Sequence, residues 1–225
     1  MEIKVLKNIL GANDRIAQRN RELLDKNGVF AVNVMASPGA GKTSLVLRTI
    51  TALKGKIRVG VIEGDIASKI DAEAVGKAGV PVVQINTGGE CHLDANMVQN
   101  ALGNLPLKSI DLLLIENVGN LVCPAEFNLG EHKKVLVASV PEGDDKPHKY
   151  PLMFTTADAV VLNKTDLLPY VKFNLVAFVK AVKGINAGAG VFPLSCTTGE
   201  GIGDWVKWLQ KQMKTAARRT TRESL

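Results

Sequence analysis

An apolar, β-capable run at residues 30–35 ends in a glycine-rich turn, Ala36-Ser37-Pro38-Gly39-Ala40-Gly41-Lys42-Thr43, and a helix-patterned stretch follows from Lys42 to about Leu53. No other stretch limits the fold of this chain so sharply. A strand that turns tightly into a helix is the first half of a βαβ unit, and such units build parallel sheets covered by helices. The alternation continues, with strands predicted at 57–62, 80–85, 111–116, 135–139, 159–162 and 191–194. Helices are predicted at 71–77, 92–102, 171–182 and from 202 to about 213. Ahead of them, Val5, Ile9, Ile16, Leu23 and Leu24 recur at helical spacing and Asn27-Gly28 supplies a stop, which predicts an N-terminal helix. The expected class is α/β, a mainly parallel sheet flanked by helices, with ligands bound beyond the carboxyl ends of the strands.

The chain has 225 residues, room for one large domain with short appendages. We divide it into an N-terminal helix (1–28), a main domain (29–214) and a basic tail (215–225). Aromatics are only 4% of a chain that is 46% hydrophobic, so Val, Ile, Leu and Ala must build the core. The longest apolar runs, 157–162 and 111–115, are strand-sized and far short of a membrane span. With no apolar signal segment after Met1, a cytoplasmic protein with no membrane partner is expected. Three cysteines, an odd number, argue against a disulfide framework and for thiols that pack or hold metal. The net charge of +6 is concentrated at Lys207, Lys211, Lys214, Arg218, Arg219 and Arg222. No stacking aromatics accompany them, so a solvated helix face is expected and no nucleic-acid partner.

The turn at 36–43 fits the Walker A pattern with Ala36 in place of the first glycine. Gly39 and Gly41 let backbone N–H groups turn inward around a phosphate. Lys42 sets a compact charge against the β- and γ-phosphates. Thr43 offers its hydroxyl to Mg²⁺ at a helix N-terminus whose dipole favours the anion. Ser37, Pro38, Ala40 and Ser44 complete the expected phosphate cradle.

Asn163-Lys164-Thr165-Asp166 follows a predicted strand directly and resembles the guanine-recognition motif N-K-x-D. A carboxylate at Asp166 accepts from guanine N1–H and the 2-amino group; adenine offers neither, so GTP is the expected nucleotide. Lys164 would lie along the base, and Asn163 would tie the loop. Ser195-Cys196-Thr197-Thr198-Gly199 resembles the second guanine loop, with Cys196 where alanine is usual.

Glu63-Gly64-Asp65 and Glu116-Asn117-Val118-Gly119-Asn120 each end a predicted strand. Mg²⁺ takes one or two carboxylates besides phosphate oxygens, which makes Asp65 and Glu116 its candidates together with Thr43. Gly119 could give its N–H to the γ-phosphate. Lys42, Thr43, Asp65, Glu116 and Gly119 thus form the expected catalytic set. Asn120 stands where many GTPases carry a water-orienting glutamine, which predicts hydrolysis slower than about 0.1 s⁻¹.

Cys91-His92 is placed at the start of a predicted helix, and Cys123 lies four residues past Gly119. Two thiolates and an imidazole suit Zn²⁺ or Ni²⁺, although an adjacent Cys-His pair taken alone favours a buried structural cysteine. Three ligands leave a tetrahedral shell incomplete, to be filled by water or a second subunit. His132 and His148 show no partner at ligand spacing and read as surface residues.

Together, residues 37–43, 63–65, 87–95, 116–124, 141–150 and 163–166 resemble the hydrogenase nickel-incorporation GTPases (HypB), P-loop NTPases of the SIMIBI class. The blocks Cys91-His92-Leu93-Asp94-Ala95 and 116–124 carry most of that resemblance. It implies Zn²⁺ or Ni²⁺ on Cys91, His92 and Cys123 near the interface of a GTP-dependent homodimer. It also implies nickel delivery to the large subunit precursor of [NiFe]-hydrogenase, with a HypA-type metallochaperone as partner. Asp71, Lys146 and Lys149 match positions suited to charged contacts across that dimer. No histidine-rich tail or N-terminal cysteine cluster is present, so nickel storage and a further nickel site are not expected. Two alternatives stay open: a related GTPase serving urease or a cobalamin enzyme, and a non-catalytic zinc- or nickel-binding protein.

Overall fold

The computed structural model describes residues 4–66 and 70–223. The predicted helix start at 1–3 and the tail end at 224–225 lie outside the described residues, as do the side chains of Val5, Ile9, Arg219 and Arg222. In chain order the elements are α1 (Lys4–Lys26), β1 (Phe30–Ala36), α2 (Lys42–Leu53), β2 (Val59–Asp65), α3 (Ile70–Gly76), β3 (Val82–Asn86) and α4 (Ala95–Leu102). Then follow β4 (Leu112–Glu116), β5 (Lys133–Ser139), α5 (Lys146–Lys149), α6 (Pro151–Thr156), β6 (Ala159–Asn163), α7 (Leu175–Ile185), β7 (Gly190–Pro193) and α8 (Ile202–Glu223).

The seven strands form one sheet in the order β3-β2-β4-β1-β5-β6-β7, and every pairing is parallel. After β1 the chain leaves for β2 and β3, returns to β4 on one flank of β1, then crosses to β5 on the other. The direction of winding reverses at β1, so the loops leaving β1, β4 and β5 diverge and open a crevice at their carboxyl ends. All seven residues of β1 are buried, as a strand covered on both faces requires. Phe30, Val32, Val34 and Ala36 pack with α2 and α8 through Leu45, Ile50, Leu53, Trp205 and Leu209. On the other face, Ala31 joins Leu24, Leu93 and Val98, while Met35 joins Phe154 and Phe178. Trp205 is buried and its Nε1–H donates to Thr49 Oγ1 at 2.9 Å, which fastens α8 to α2.

Five local readings change, one being the helix predicted from residue 171, which starts at Leu175 because Asn174 Oδ1 accepts the Ala177 N–H at 2.9 Å and caps it there. The helix predicted from residue 92 starts at Ala95, because Asp94 Oδ1 accepts the Met97 N–H at 2.7 Å and caps it there. Cys91 and His92 therefore sit in the preceding loop. Two short helices, α5 and α6, are additional to those predicted; Pro147 and Pro151 occupy first-turn positions in them, where proline costs no hydrogen bond. The last helix runs to Glu223 instead of ending near Met213, and so carries Lys207, Lys211, Lys214 and Arg218. On α1 the buried stripe is Asn13, Ala17, Asn20 and Leu24, whereas Leu23 is exposed and Ile16 half-buried.

His132 also departs from the surface role expected of it. Its side chain is 10% exposed, Nδ1 accepts the Ala31 N–H at 3.0 Å, and Nε2–H faces Asp25 Oδ1 at 2.8 Å. Burial, foremost, lowers its pKa, with Arg21 adding to the effect and Asp25 opposing it. In the folded state the ring is neutral, and a proton on Nδ1 would break the bond to β1. Because the folded pKa lies below the unfolded one, this stability is present above about pH 6.5 and declines as pH falls below it. Thermal melts between pH 7.5 and 5 should show this decline, and His132→Gln should flatten it by roughly 2–4 °C, the equivalent of one hydrogen bond. Identical slopes for both proteins would refute the assignment. His148 is exposed, as expected.

Candidate nucleotide and metal site

The glycine-rich turn leaves the end of β1 at the centre of the crevice. Gly39 (φ 76) and Gly41 (φ 101) adopt left-handed backbone, which side chains resist. At Gly41 a Cβ would also run into the Asn163 amide, so the phosphate loop and the loop after β6 interlock there. Asn163 Nδ2 donates to Ala40 O at 3.0 Å and Lys164 Nζ to Gly39 O at 2.7 Å. Ser37 Oγ donates to the Glu142 carboxylate, whose other oxygen accepts from Ser139 Oγ at 2.8 Å. The loop is thus held open from both flanks, with Lys42 and Thr43 entering α2.

Below it lie acids that no hydrogen bonds fully satisfy. Glu63 and Glu116 are opposite one another on β2 and β4, each 2% exposed. Their carboxylates and that of Asp71 converge within 4.8 Å. Thr43 Oγ1 donates to Glu116 Oε1 at 2.8 Å, but Glu63 Oε2 and Glu116 Oε2 have no partner. Burial, then the Glu116 charge, pushes Glu63 up to about 10, against the pull of Lys42. Burial likewise raises Glu116, and Lys42 opposes it. Orphaned buried carboxylate oxygens beside a threonine hydroxyl suit a hard divalent cation. Asp65 is not among them: it is half-buried, and its Oδ1 accepts the adjacent Ile66 N–H at 2.5 Å.

At the far end of the crevice, Ser195 Oγ donates to Asp166 Oδ1 at 2.5 Å and accepts the Thr198 N–H at 3.1 Å. Asn163 Oδ1 accepts N–H groups from Lys164 and Cys196 at 2.8 and 3.1 Å. Lys164 holds a left-handed φ of 63°, an uncommon choice for a side-chain-bearing residue. Arg48, on α2, donates from Nε to Cys196 O at 2.5 Å and from Nη2 to Thr197 O at 2.7 Å. Cys196 is buried, and its thiol is pushed up to about 11 mainly by that burial; it packs and does not react.

The sulfur and imidazole donors meet beside the loop after β4. Cys91 and Cys123 Sγ atoms are 3.2 Å apart, His92 Nδ1 is 3.8 Å from Cys91 Sγ, and all three residues are half-buried. The bond to Cys91, then burial, raises the Cys123 thiol. The His92 ring lies 4.0 Å from that of Phe127. Asn120 gives its amide to Cys91 O at 3.3 Å and accepts from Val122 N–H at 2.8 Å, so both ends of its side chain are bonded within the loops that carry Cys91 and Cys123. Asn117, fully buried, accepts N–H groups from Leu93 and Val118 at 3.0 and 2.9 Å. At Gly119 a Cβ would lie 3.0 Å from both Pro38 N and Cγ. One loop therefore leans on the phosphate cradle and holds the thiol site.

A family model described as the CobW/HypB/UreG nucleotide-binding domain matches residues 30–193. The hydrogenase maturation factor HypB of Azotobacter vinelandii is 48% identical over 96% of this chain and 71% of its own length. The chain belongs to the CobW/HypB/UreG family. Among solved structures, HypB from Helicobacter pylori in complex with nickel is 37% identical, with a TM-score of 0.87 over 91% of this chain and 96% of the other. HypB from Archaeoglobus fulgidus is 41% identical, with a TM-score of 0.85 over 90% and 99%.

In this CobW/HypB/UreG domain, the turn at 37–44 is bonded to Asn163 and Lys164, Asn163 to Cys196 and Asp166 to Ser195, so the residues expected at the nucleotide lie side by side. Cys91, His92 and Cys123 also come together. Sequence reasoning missed Glu63 and Asp71 as partners of Glu116; the register of two strands, invisible in one dimension, creates that group. It missed Arg48 and Glu142, whose bonds span 148 and 105 residues and leave no local signal. Of the residues expected at a dimer contact, Lys149 is exposed and pairs with Asp145 at 2.5 Å, and half-buried Lys146 lies over the Tyr150 ring at 5.3 Å.

Proposed function

We propose that this chain is a GTP-hydrolysing metallochaperone that delivers nickel during [NiFe]-hydrogenase maturation. The observation that carries this reading is the loop after β4, which touches the phosphate cradle through Gly119 and presents Cys123 to the thiol site. Relatives named as hydrogenase maturation factors, one of them solved with nickel, supply the target and the cargo. GTP occupies the crevice, its phosphates in the turn at 37–44 and its base against Asn163, Lys164, Asp166, Ser195 and Cys196. Mg²⁺ is held by Thr43 and Glu116 with Glu63 or Asp71, and when bound it neutralises charge on the β- and γ-phosphates.

Lys42 and the N–H groups of the turn orient the triphosphate, and Gly119 donates to its outer end. With both ends of the Asn120 side chain bonded and no arginine finger in the crevice among the described residues, intrinsic hydrolysis is slow. Cys91, His92 and Cys123 hold the cargo, zinc or nickel, and the open coordination position is filled by water or a second copy in a GTP-bound homodimer. A HypA-type metallochaperone and the hydrogenase large subunit precursor are the expected partners, in the cytoplasm. Nucleotide and metal must then influence each other's affinity by the same factor. Ni²⁺ titrations of the GDP and GTP-analogue forms should differ by about 5–150-fold. Equal affinities would leave the site a metal binder unconnected to the nucleotide.

A further inference from the structure

The three candidate ligands come from two separate segments, 91–95 and 123–130, and α1 grips both. Asn13 Oδ1 accepts the Ala95 N–H at 2.8 Å while its Nδ2 donates to Asn128 O at 2.8 Å. Seven residues on, Asn20 Nδ2 donates to Ala95 O at 2.8 Å and to Leu129 O at 2.9 Å. Each amide thus joins one ligand-bearing segment to the other. Arg21 Nε adds a bond to Gly130 O at 2.8 Å. The approach is close: a Cβ at Gly130 would lie 2.6 Å from Asn20 Cβ and 2.8 Å from Ala17 O. Between the clamped ends, the Phe127 ring packs against that of His92 at a tilt of 35°.

Polar residues are a costly choice for these positions. Asn13 is 7% exposed and Asn20 fully buried, and they share one stripe of α1 with Ala17 and Leu24. A buried amide is tolerated only where it is hydrogen-bonded, and Asn20 Oδ1 has no partner at all. Leucines on that stripe would dock the helix more cheaply. What they could not do is fix two loop backbones relative to each other.

We propose that α1 is a clasp that sets the spacing of Cys91 and His92 from Cys123, with Asn13 and Asn20 as its positioning residues. This rests on the reading that those three side chains hold a metal ion. Groups that orient ligands without touching the metal are worth about 10–100-fold in affinity.

The test uses the full chain with Asn13→Leu and Asn20→Leu combined, which keeps an apolar seam for α1. Zn²⁺ and Ni²⁺ are titrated against a competing chelator, Co²⁺ absorption reports coordination geometry, and GDP affinity and thermal melting report the rest of the fold. Metal affinity should fall by about 10–100-fold and the Co²⁺ bands should change, while GDP affinity stays as in the parent. Should the double variant not fold, Asn13→Asp decides on the same readouts, because it keeps the acceptor for Ala95 and loses the donor to Asn128. Unchanged metal affinity and Co²⁺ bands in the variant would overturn the clasp alone. So would metal and GDP affinity falling in parallel with the melting temperature, which marks a merely structural role. A parent chain that binds neither ion removes the metal reading and takes the clasp with it.

Discussion

Asp166→Asn should weaken GTP and GDP binding by on the order of 10⁴-fold and make xanthosine nucleotides the preferred ligands. Guanine presents two adjacent donors, N1–H and the 2-amino group, and both require acceptors. Ser195 fixes the Asp166 carboxylate from one side, so it cannot swing to accommodate a different edge. An amide at this position replaces one acceptor with a donor, which faces the guanine amino group and leaves both groups unpaired. Xanthine carries an oxygen where guanine carries that amino group and restores the match. Competition of GDP and XDP against a fluorescent nucleotide measures the exchange. Retention of GDP affinity within about tenfold of the parent would show that the base lies elsewhere.

Cys91→Ala and Cys123→Ala should each lower Ni²⁺ and Zn²⁺ affinity by more than about 100-fold, since loss of a ligand exceeds the loss of a residue that merely orients one. The two sulfurs are 3.2 Å apart, so each variant leaves a single thiol beside His92. Cys196→Ala, by contrast, should leave metal affinity untouched, because that thiol is buried in the core with α2 and α8. GDP affinity should survive Cys91→Ala and Cys123→Ala. Equal metal affinity in Cys123→Ala and the parent would remove the link between the loop after β4 and the cargo.

The fold and much of the crevice were legible because their chemistry is contiguous. A strand, a glycine turn and Lys42-Thr43 are consecutive, as are Asn163 to Asp166, and each carries its own physical reason. Cys91-His92 and Cys123, 32 positions apart, were legible as one group through the family resemblance and not through their spacing. What escaped depends on register and distance. Glu63 meets Glu116 only because β2 pairs with β4, so the acids that converge beneath the turn are Glu63, Asp71 and Glu116, a group that the reading of Asp65 with Glu116 did not contain. On α1, periodicity marks apolar residues as the inner face, yet the buried stripe includes Asn13 and Asn20, whose partners lie 82 and 75 residues away at Ala95. The short helices α5 and α6, with Pro147 and Pro151 in their first turns, span too few residues to show a periodic pattern.

Both tryptophans of the chain, Trp205 and Trp208, stand on α8 with ring centroids 5.3 Å apart, and Trp205 is bonded to α2. The protein's ultraviolet emission is therefore a gauge of one seam, on the sheet face that α2 and α8 cover. Quenching during a nickel titration would have to be transmitted through the sheet to be seen, while loosening of α2 around an empty crevice would register at once. A dye or an inserted indole near Phe127 is needed before light can follow the cargo.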